Sequence, residues 1–269
     1  MLLVIALAAL SSARPVSGQE IAVAAAADLK FAMGELAANF EKQTGTKVNV
    51  TYGSSGNVFS QIQNGAPFDL FFSADVEYAK KLEVSGQAEP GTLYSYATGR
   101  IVIWMLSGIN VDLNAQGINA LLDPAIQKIA IANPAHAPYG KAAVAAMRQA
   151  GIYEKVGPKL VYGENISQAA QFVQSENAQA GIIALSLAIS PAMKDSGKMW
   201  LIPAELHPPI EQAAVVVRSS RKKEAAKAFL KYIKSAEGKA VMDKYGFTTP
   251  STGEVKGRAA GWPGRCCFR

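Results

Sequence analysis

The chain has 269 residues, of which 49% are hydrophobic and 18% charged, which excludes intrinsic disorder and leaves room for two small domains. The formal net charge of +6 is unevenly placed, because Arg14 supplies one positive charge and the segment from Glu254 onward supplies a net three. Residues 19–253 therefore carry only +2, and they contain no basic cluster of the kind that binds nucleic acid.

The first residues predict an exported protein. An apolar run at 2–10 is followed by small residues as far as Gly18. The run is too short to span a bilayer and fits the hydrophobic region and cleavage site of a signal peptide, although no Lys or Arg precedes it. A buried first helix is the alternative, which Arg14-Pro15 disfavours by interrupting the run. We predict a signal peptide over residues 1–18.

Short strands alternate with helices along the rest of the chain. Strands are predicted where short apolar or alternating runs occur, and helices where apolar residues recur every three or four positions. The predicted strands cover 21–27, 47–52, 69–73, 100–106, 128–132, 159–162, 180–185, 199–202 and 213–218. The predicted helices cover 29–40, 58–63, 76–84, 140–150, 166–175, 222–234 and 235–245. This order predicts an α/β fold with mostly parallel sheets.

Two strands indicate a discontinuous first domain. One, at 100–106, lies near the middle of the chain, and the other, at 213–218, is followed by two returning helices. We expect them to cross to a second domain and back, with a ligand cleft between the domains. The predicted domains are 19–105 with 214–252, and 106–213. Residues 253–269, which contain both cysteines of the chain, are predicted to be a disordered tail.

Four junctions between a strand and a helix are candidates for anion binding. They lie at 27–28, 54–57, 138–140 and 164–167, two in each predicted domain. A helix start exposes backbone N–H groups and the positive end of the helix dipole, which bind oxyanions without a cationic side chain. The alternative is that Ser, Asp and Asn only cap these helices and that Gly and Pro only form turns.

Five segments also share their order and spacing with one known family. They are AVAAAADL, VTYGSSG, GAPFDLFFSAD, NPAHAPYG and KYGFTTP. Together they resemble the molybdate-binding proteins of ABC importers over roughly residues 20–250. The resemblance implies a two-domain periplasmic-binding-protein fold with a central ligand cleft and two crossover strands, which closes on a tetrahedral dianion held by neutral hydrogen-bond donors.

The resemblance implies five ligand-binding residues. Ser55 would donate hydrogen bonds to the anion from its hydroxyl and its backbone N–H. Tyr139 and Ile166 would donate from their backbone N–H groups, and Ala27 and Asp28 would do so at the first helix start. These groups would contact the oxygens of the anion, with no direct ligand to the metal atom.

Two positions depart from the family pattern. Asp28 stands where the best-known members have a serine, and Ala184 stands where some members have a ligand-contacting tyrosine. A carboxylate aimed at a dianion would repel it, so we expect Asp28 to turn away and cap its own helix at Lys30 or Phe31. The alternative is that Asp28 accepts the proton of a protonated oxyanion such as hydrogen phosphate.

An enzyme remains the alternative from a different class. Ser55 with His136 could form the nucleophile and base of a hydrolase, if Asp69 or Asp75 oriented the imidazole. The other histidine, His207, lies far away in sequence, and no phosphate-loop, zinc-protease or nucleophile-elbow motif is present.

The predicted function is therefore binding without chemistry. We expect a monomeric periplasmic protein that captures molybdate, and tungstate as well, by hinge closure. It would need no cofactor, and it would deliver the anion to the membrane permease and ATPase subunits of an ABC importer. A binding protein for another oxyanion, phosphate or sulfate, is the nearest alternative.

Overall fold

Two mixed β-sheets, each covered by helices, form two lobes in the computed structural model, which describes residues 19–249. The strands are β1 (Glu20–Ala26), β2 (Lys47–Gly53), β3 (Leu70–Ser73), β4 (Tyr94–Gly99), β5 (Ile101–Leu106), β6 (Ile129–Ala132), β7 (Leu160–Gly163), β8 (Ala180–Ala184), β9 (Gly197–Leu201) and β10 (Ile210–Val216). The predicted signal peptide and the predicted tail from residue 253 lie outside the described residues.

The helices fill the connections between the strands. They are α1 (Lys30–Thr44), α2 (Ser55–Gln63), α3 (Val76–Val84), α4 (Leu113–Gln116), α5 (Pro138–Gln149), α6 (Tyr153–Val156), α7 (Ile166–Gln174), α8 (Leu185–Ala188), α9 (Lys223–Lys234) and α10 (Ala236–Lys244). A single 3-10 turn, Ala27–Leu29, joins β1 to α1. Among the described residues, no helix is both long enough and apolar enough to cross a membrane.

Each sheet has five strands and a mixed hydrogen-bonding pattern. The first has the order β2-β1-β3-β10-β4, and the second has the order β7-β6-β8-β5-β9. In the first sheet β1 pairs parallel with β2 and β3, whereas β10 pairs antiparallel with β3 and β4. The second sheet repeats this pattern, with β6 parallel to its two neighbours and β5 antiparallel to its own.

The α/β prediction is confirmed, but the prediction of mostly parallel sheets is wrong. Half of the pairings in each sheet are antiparallel. The reason is that β10 and β5 enter their sheets from the opposite lobe. Such a strand can insert between neighbours without the crossover helix that a parallel neighbour requires.

The chain crosses between the lobes twice. It leaves the first sheet at the end of β4 and enters the second at the start of β5, with only Arg100 between them. It returns over residues 202–209 to β10. Both crossings precede the predicted domain boundaries at 105/106 and 213/214, because a buried apolar strand does not reveal in its sequence which sheet it joins.

The alanine-rich β1 explains how helices cover both faces of the first sheet. Its side chains alternate, so Ala25 packs with the core under α1, α9 and α10, whereas Ala24 packs with the core under α2 and α3. Both residues are fully buried. Small side chains at the centre of the sheet allow the two helical layers to approach closely.

The edge of the first lobe is continuous with the core of the second. Ala26 ends β1, and Ala27 and Ala74 directly follow β1 and β3, yet all three pack in the hydrophobic cluster of the second lobe. The lobes are therefore in contact, and the carboxyl ends of β1 and β3 face the second lobe.

Candidate functional site

A small cavity lies between the lobes, at the strand-to-helix junctions. The first lobe lines it with Ala26, Ala27, Asp28, Gly53, Ser54, Ser55 and Ala74, and the second with Ala137, Pro138, Tyr139 and Ile166. Its volume is about 10 Å³, on the order of the space that one water molecule requires and far below the range of roughly 300–1,000 Å³ that holds drug-sized ligands. All five predicted site residues line it, and the lining contains no Lys or Arg.

Ser55 is the first residue of α2 and is 1% exposed. Its Oγ accepts a hydrogen bond of 2.9 Å from the backbone N–H of Ala74. The helix cap is Ser54, whose carbonyl accepts from Val58 N–H, so Ser55 is not the capping residue. Ser55 Oγ accepts from Ala74 and donates to no group among residues 19–249, so its own proton is available to a group in the cavity.

Tyr139 and Ile166 bring two more helix starts to the cavity. Tyr139 is the second residue of α5, after Pro138, and Ile166 is the first residue of α7. Backbone N–H groups at these positions have no partner within their own helix, and no other hydrogen bond among residues 19–249 uses them. Both residues are buried, so their N–H groups are shielded from water.

The close approach of α5 depends on Gly140. A Cβ at this position would overlap the carbonyl oxygen of Ala132 at the end of β6. The glycine lets the first turn of the helix lie directly against the strand end, which places the Tyr139 N–H at the cavity.

The prediction that Asp28 caps its own helix is wrong. The turn that contains Asp28 and the helix after it both lack a side-chain cap. Instead, Asp28 Oδ2 accepts hydrogen bonds from the Tyr139 hydroxyl (2.9 Å) and from Gln212 Nε2 (2.8 Å). Its partners lie 111 and 184 positions away in sequence, so no local pattern could indicate them.

These contacts belong to a buried hydrogen-bond network that joins the lobes. Gln212 Nε2 also donates to the Tyr139 hydroxyl (2.9 Å), and the Tyr96 hydroxyl donates to Gln212 Oε1 (2.7 Å). Sequence reasoning missed both Gln212 and Tyr96. The available signal was a glutamine directly before the apolar run of β10, since a buried amide requires partners.

Burial controls the ionisation of this network. Loss of solvent raises the pKa of Asp28 to about 6, although the hydrogen bonds from Gln212 and Tyr139 lower it. The N–H groups of Asp28 and Leu29 also lower the pKa, but they do not reach hydrogen-bond geometry, and Asp28 Oδ1 has no partner among the described residues. Burial and the neighbouring carboxylate raise the pKa of Tyr139 well above 10.

Further hydrogen bonds close the rim of the cavity. Ser167 donates to the Ala27 carbonyl (2.9 Å), and Ser186 donates to the Asp28 carbonyl (2.7 Å). On the opposite side, Gly56 N–H donates to the His136 carbonyl (2.9 Å). Each of these bonds joins one lobe to the other, so the structure is a closed form.

The residues proposed for a hydrolase do not assemble. His136 Nδ1 lies 2.8 Å from Ser54 Oγ, not from Ser55. Asp69 accepts hydrogen bonds from Ala22 N–H and the Ser220 hydroxyl. Asp75 caps α3 at Glu77, so neither carboxylate orients the imidazole. His207 is not part of the site, since its ring contacts only the Pro208 carbonyl.

A larger groove opens at the mouth of the cleft. It shares Ala74 and Pro138 with the cavity. Unlike the cavity, it is lined by several charged residues, of which three are acidic and one is basic: Asp75, Glu77, Glu211 and Lys141. Its excess negative charge makes it a poor site for an anion. Within residues 19–249, no group of three or more His, Cys, Asp or Glu side chains is arranged to hold a metal ion.

Comparison with known proteins places this architecture in one family. The family model for bacterial extracellular solute-binding proteins matches residues 21–248. The molybdate-binding protein ModA of Rhodobacter capsulatus is 38% identical over 237 residues, which is 88% of this chain and 91% of that protein. The ModA protein of Azotobacter vinelandii is 39% identical over 245 residues, covering 91% and 96% of the two chains.

A solved structure supports the same placement. The periplasmic molybdate-binding protein of Azotobacter vinelandii matches with a TM-score of 0.79 and 34% identity, over 86% of this chain and 99% of that one. The periplasmic-binding-protein fold predicted from the sequence is thereby confirmed. The chain belongs to the bacterial extracellular solute-binding protein family.

Proposed function

We propose that this protein captures molybdate, and tungstate as well, outside the cytoplasm and delivers it to an ABC importer. The observation that supports this most directly is the cavity itself. Ala27, Asp28, Ser55, Tyr139 and Ile166 come from both lobes and line one small space without a cationic side chain. Relatives at 38% and 39% identity are molybdate-binding proteins.

The donors suit a tetrahedral oxyanion. The Ser55 hydroxyl and the N–H groups at the starts of α2, α5 and α7 are neutral donors, and each helix start adds the positive end of its dipole. In a water-free cavity such fixed donors bind charge more strongly than they would in water. Sugars, peptides and other large solutes do not fit a space of this size.

We further propose that capture proceeds by hinge closure of two domains that meet at the cavity. The hinge would lie at Arg100 and over residues 202–209, where the chain crosses between the sheets. In an open form the rim hydrogen bonds would separate and admit the anion, and closure would then remove it from water. The signal peptide predicted over residues 1–18 would direct the protein to the periplasm, and the predicted partners are the permease and ATPase subunits of the importer.

Calorimetric titration of the purified protein with molybdate, tungstate, sulfate and phosphate tests the proposal. We expect tight one-to-one binding of molybdate and tungstate, and binding of sulfate and phosphate weaker by at least ~100-fold, a difference of about 3 kcal/mol. Uptake of sulfate or phosphate in preference to molybdate would overturn the assignment of the ligand. Hydrolysis of an ester such as p-nitrophenyl acetate that is lost in Ser54→Ala would contradict the binding function itself.

A further inference from the structure

The side chain of Asp28 is arranged unlike that of an ordinary buried carboxylate. It is 1% exposed and lines the proposed anion cavity. One oxygen, Oδ2, is occupied by the two donors Tyr139 and Gln212. The other oxygen, Oδ1, is buried without a hydrogen-bond partner among the described residues. A buried oxygen without a hydrogen-bond partner destabilises the fold. Because Oδ2 already accepts two hydrogen bonds, Oδ1 is the oxygen of the carboxyl that is left to carry a proton.

Among residues 19–249, no positive charge compensates this carboxylate. The titratable groups facing it are the phenols of Tyr96 and Tyr139, which are neutral at physiological pH because burial and the carboxylate raise the pKa of each. Helices α7 and α8, which pack on the turn of Asp28, contain no charged residue, and neither does β4. Charged residues also lie close in sequence to Asp28 and to the groups around it, but all of them are solvent-exposed: Lys30, Arg100, Lys141 and Glu211.

A bound dianion would place two further negative charges beside an ionised Asp28. In a buried cavity such repulsion costs several kcal/mol, because no solvent screens it. A proton on the carboxyl removes the repulsion and also turns an acceptor into a donor. The same side chain would then contribute a hydrogen bond to the anion.

We propose that Asp28 takes up one proton from solvent for each oxyanion bound and, as the neutral acid, donates a hydrogen bond from Oδ1 to the ligand. This inference rests on the proposed function and adds a side-chain donor to it. The proton adds to Oδ1 as the anion enters and returns to solvent when the anion leaves, so no other bond forms or breaks. Tyr139 and Gln212 act as positioning residues, since they hold Oδ2 and leave Oδ1 for the ligand.

The proposal predicts how affinity depends on pH. In the closed form without an anion the pKa of Asp28 is about 6, and opening of the cleft to water would lower it, so the carboxyl is mostly ionised at neutral pH. A bound dianion raises this pKa further. Affinity should therefore rise about three- to tenfold for each pH unit lowered toward pH 6, and should level off at lower pH, once Asp28 in the free protein is itself protonated.

Calorimetry in two buffers of different ionisation enthalpy measures the proton count directly. With molybdate at about pH 7.5, we expect wild-type protein to take up between half a proton and one proton per anion. Asp28→Asn keeps an acceptor for Tyr139 and offers a neutral donor in place of Oδ1. It should take up none and should bind with an affinity independent of pH between about 6 and 8.

Asp75→Asn is the matched control, because it removes another carboxylate near the cleft while keeping a side chain that caps α3. It should show the proton count and pH dependence of the wild type. If wild-type protein binds molybdate with no proton uptake, this inference fails while the proposed function stands. If Asp28→Asn still takes up a proton, the proton belongs to another group. If wild-type protein binds no oxyanion, both proposals are overturned.

Discussion

At the scale of single residues, the hydroxyl of Ser55 is held in place at the wall of the cavity. The N–H of Ala74 occupies the acceptor side of its Oγ, and this fixes the direction in which its proton can point. The sequence predicted Ser55 as a donor by resemblance. The hydrogen bond from Ala74, which orients the Ser55 hydroxyl, joins residues 19 positions apart and could not be predicted from the sequence.

Ser55→Ala should weaken molybdate binding by about 10- to 100-fold, because a hydrogen bond to a charged partner contributes roughly 1.5–3 kcal/mol. Titration calorimetry measures this loss. Thermal unfolding without ligand should also show a modest decrease in stability, since the buried Ala74 N–H loses its acceptor. A variant that loses stability and keeps wild-type affinity would remove Ser55 from the site.

The control for this substitution is Ser60→Ala in the same helix. The Ser60 hydroxyl donates only to the Gly56 carbonyl, and Ser60 does not line the cavity. Its affinity for molybdate should equal that of the wild type, so a decrease in both variants would indicate a general effect on α2.

The positions of residues at the cavity were predictable where they follow local spacing, and their hydrogen bonds were not predictable where they depend on distant contacts. Ser55, Tyr139 and Ile166 stand at helix starts, which the order of apolar residues and turns reveals. Asp28 was also placed at a helix start, but its hydrogen bonds are made with Tyr139 and Gln212 from other elements. Capping is the usual role of an aspartate at such a position, and a tertiary network overrode it.

At the scale of elements, the start of α2 is shaped to touch the opposite lobe. Gly56 lies in its first turn, and its N–H donates to the His136 carbonyl. A Cβ on Gly56 would lie 2.8 Å from that carbonyl oxygen and 2.9 Å from the Tyr78 hydroxyl. The missing side chain therefore permits the two lobes to come together at this point.

Gly56→Ala should hinder closure and weaken molybdate binding by at least about tenfold, a cost of roughly 1.4 kcal/mol. Small-angle scattering with saturating molybdate should show a more expanded particle than the wild type. Gly34→Ala is the control, because its added Cβ meets nothing within 4 Å. It should keep wild-type affinity and slightly stabilise α1. Full closure and unchanged affinity in Gly56→Ala would contradict this account.

Most elements of regular structure could be predicted from periodicity, since burial on one face leaves a pattern in the sequence. The exception among the strands is β4, Tyr94–Gly99, which has the sequence YSYATG. It runs almost directly into β5, so only the more apolar half of this extended segment was recognised. The short helices α4, α6 and α8, of four residues each, are too brief to show a period.

At the scale of the whole molecule, Asp28 links global stability to pH. Its pKa in the closed folded form is about 6, above the ordinary value of 3.8, so this form holds the proton more tightly than the unfolded chain does. The free energy of unfolding should therefore decrease as pH rises from about 4 through about 6. At neutral pH, the ionisation of Asp28 makes the free energy of unfolding roughly 3 kcal/mol lower than it is at acidic pH.

Asp28→Asn should accordingly raise the free energy of unfolding at about pH 7, in the absence of oxyanion, by ~1–3 kcal/mol. The gain should shrink or vanish at about pH 4.5, where the wild-type carboxyl is protonated. Urea unfolding at the two pH values measures both differences. Equal stabilisation at both pH values would show that packing, and not ionisation, explains the effect.

The two-lobed arrangement could be predicted from the order of elements, but the exact partition of strands could not. Strand β5 is a continuous apolar run, and the second half of β10 is also apolar, so each would satisfy either sheet. The connections at Arg100 and 202–209 determine which sheet each strand can join. The paths of these connections are fixed only in the folded molecule.

The sheet order also fixes when each lobe can be completed during synthesis. All five strands of the second sheet lie between residues 101 and 201, whereas β10, which separates β3 from β4 in the first sheet, ends at Val216. Until that strand emerges, the first sheet has two facing edges with unpaired backbone groups, which are sites for wrong pairing. The inserted lobe can therefore mature before the lobe that precedes it, and a chain that stops short of β10 retains the exposed edges.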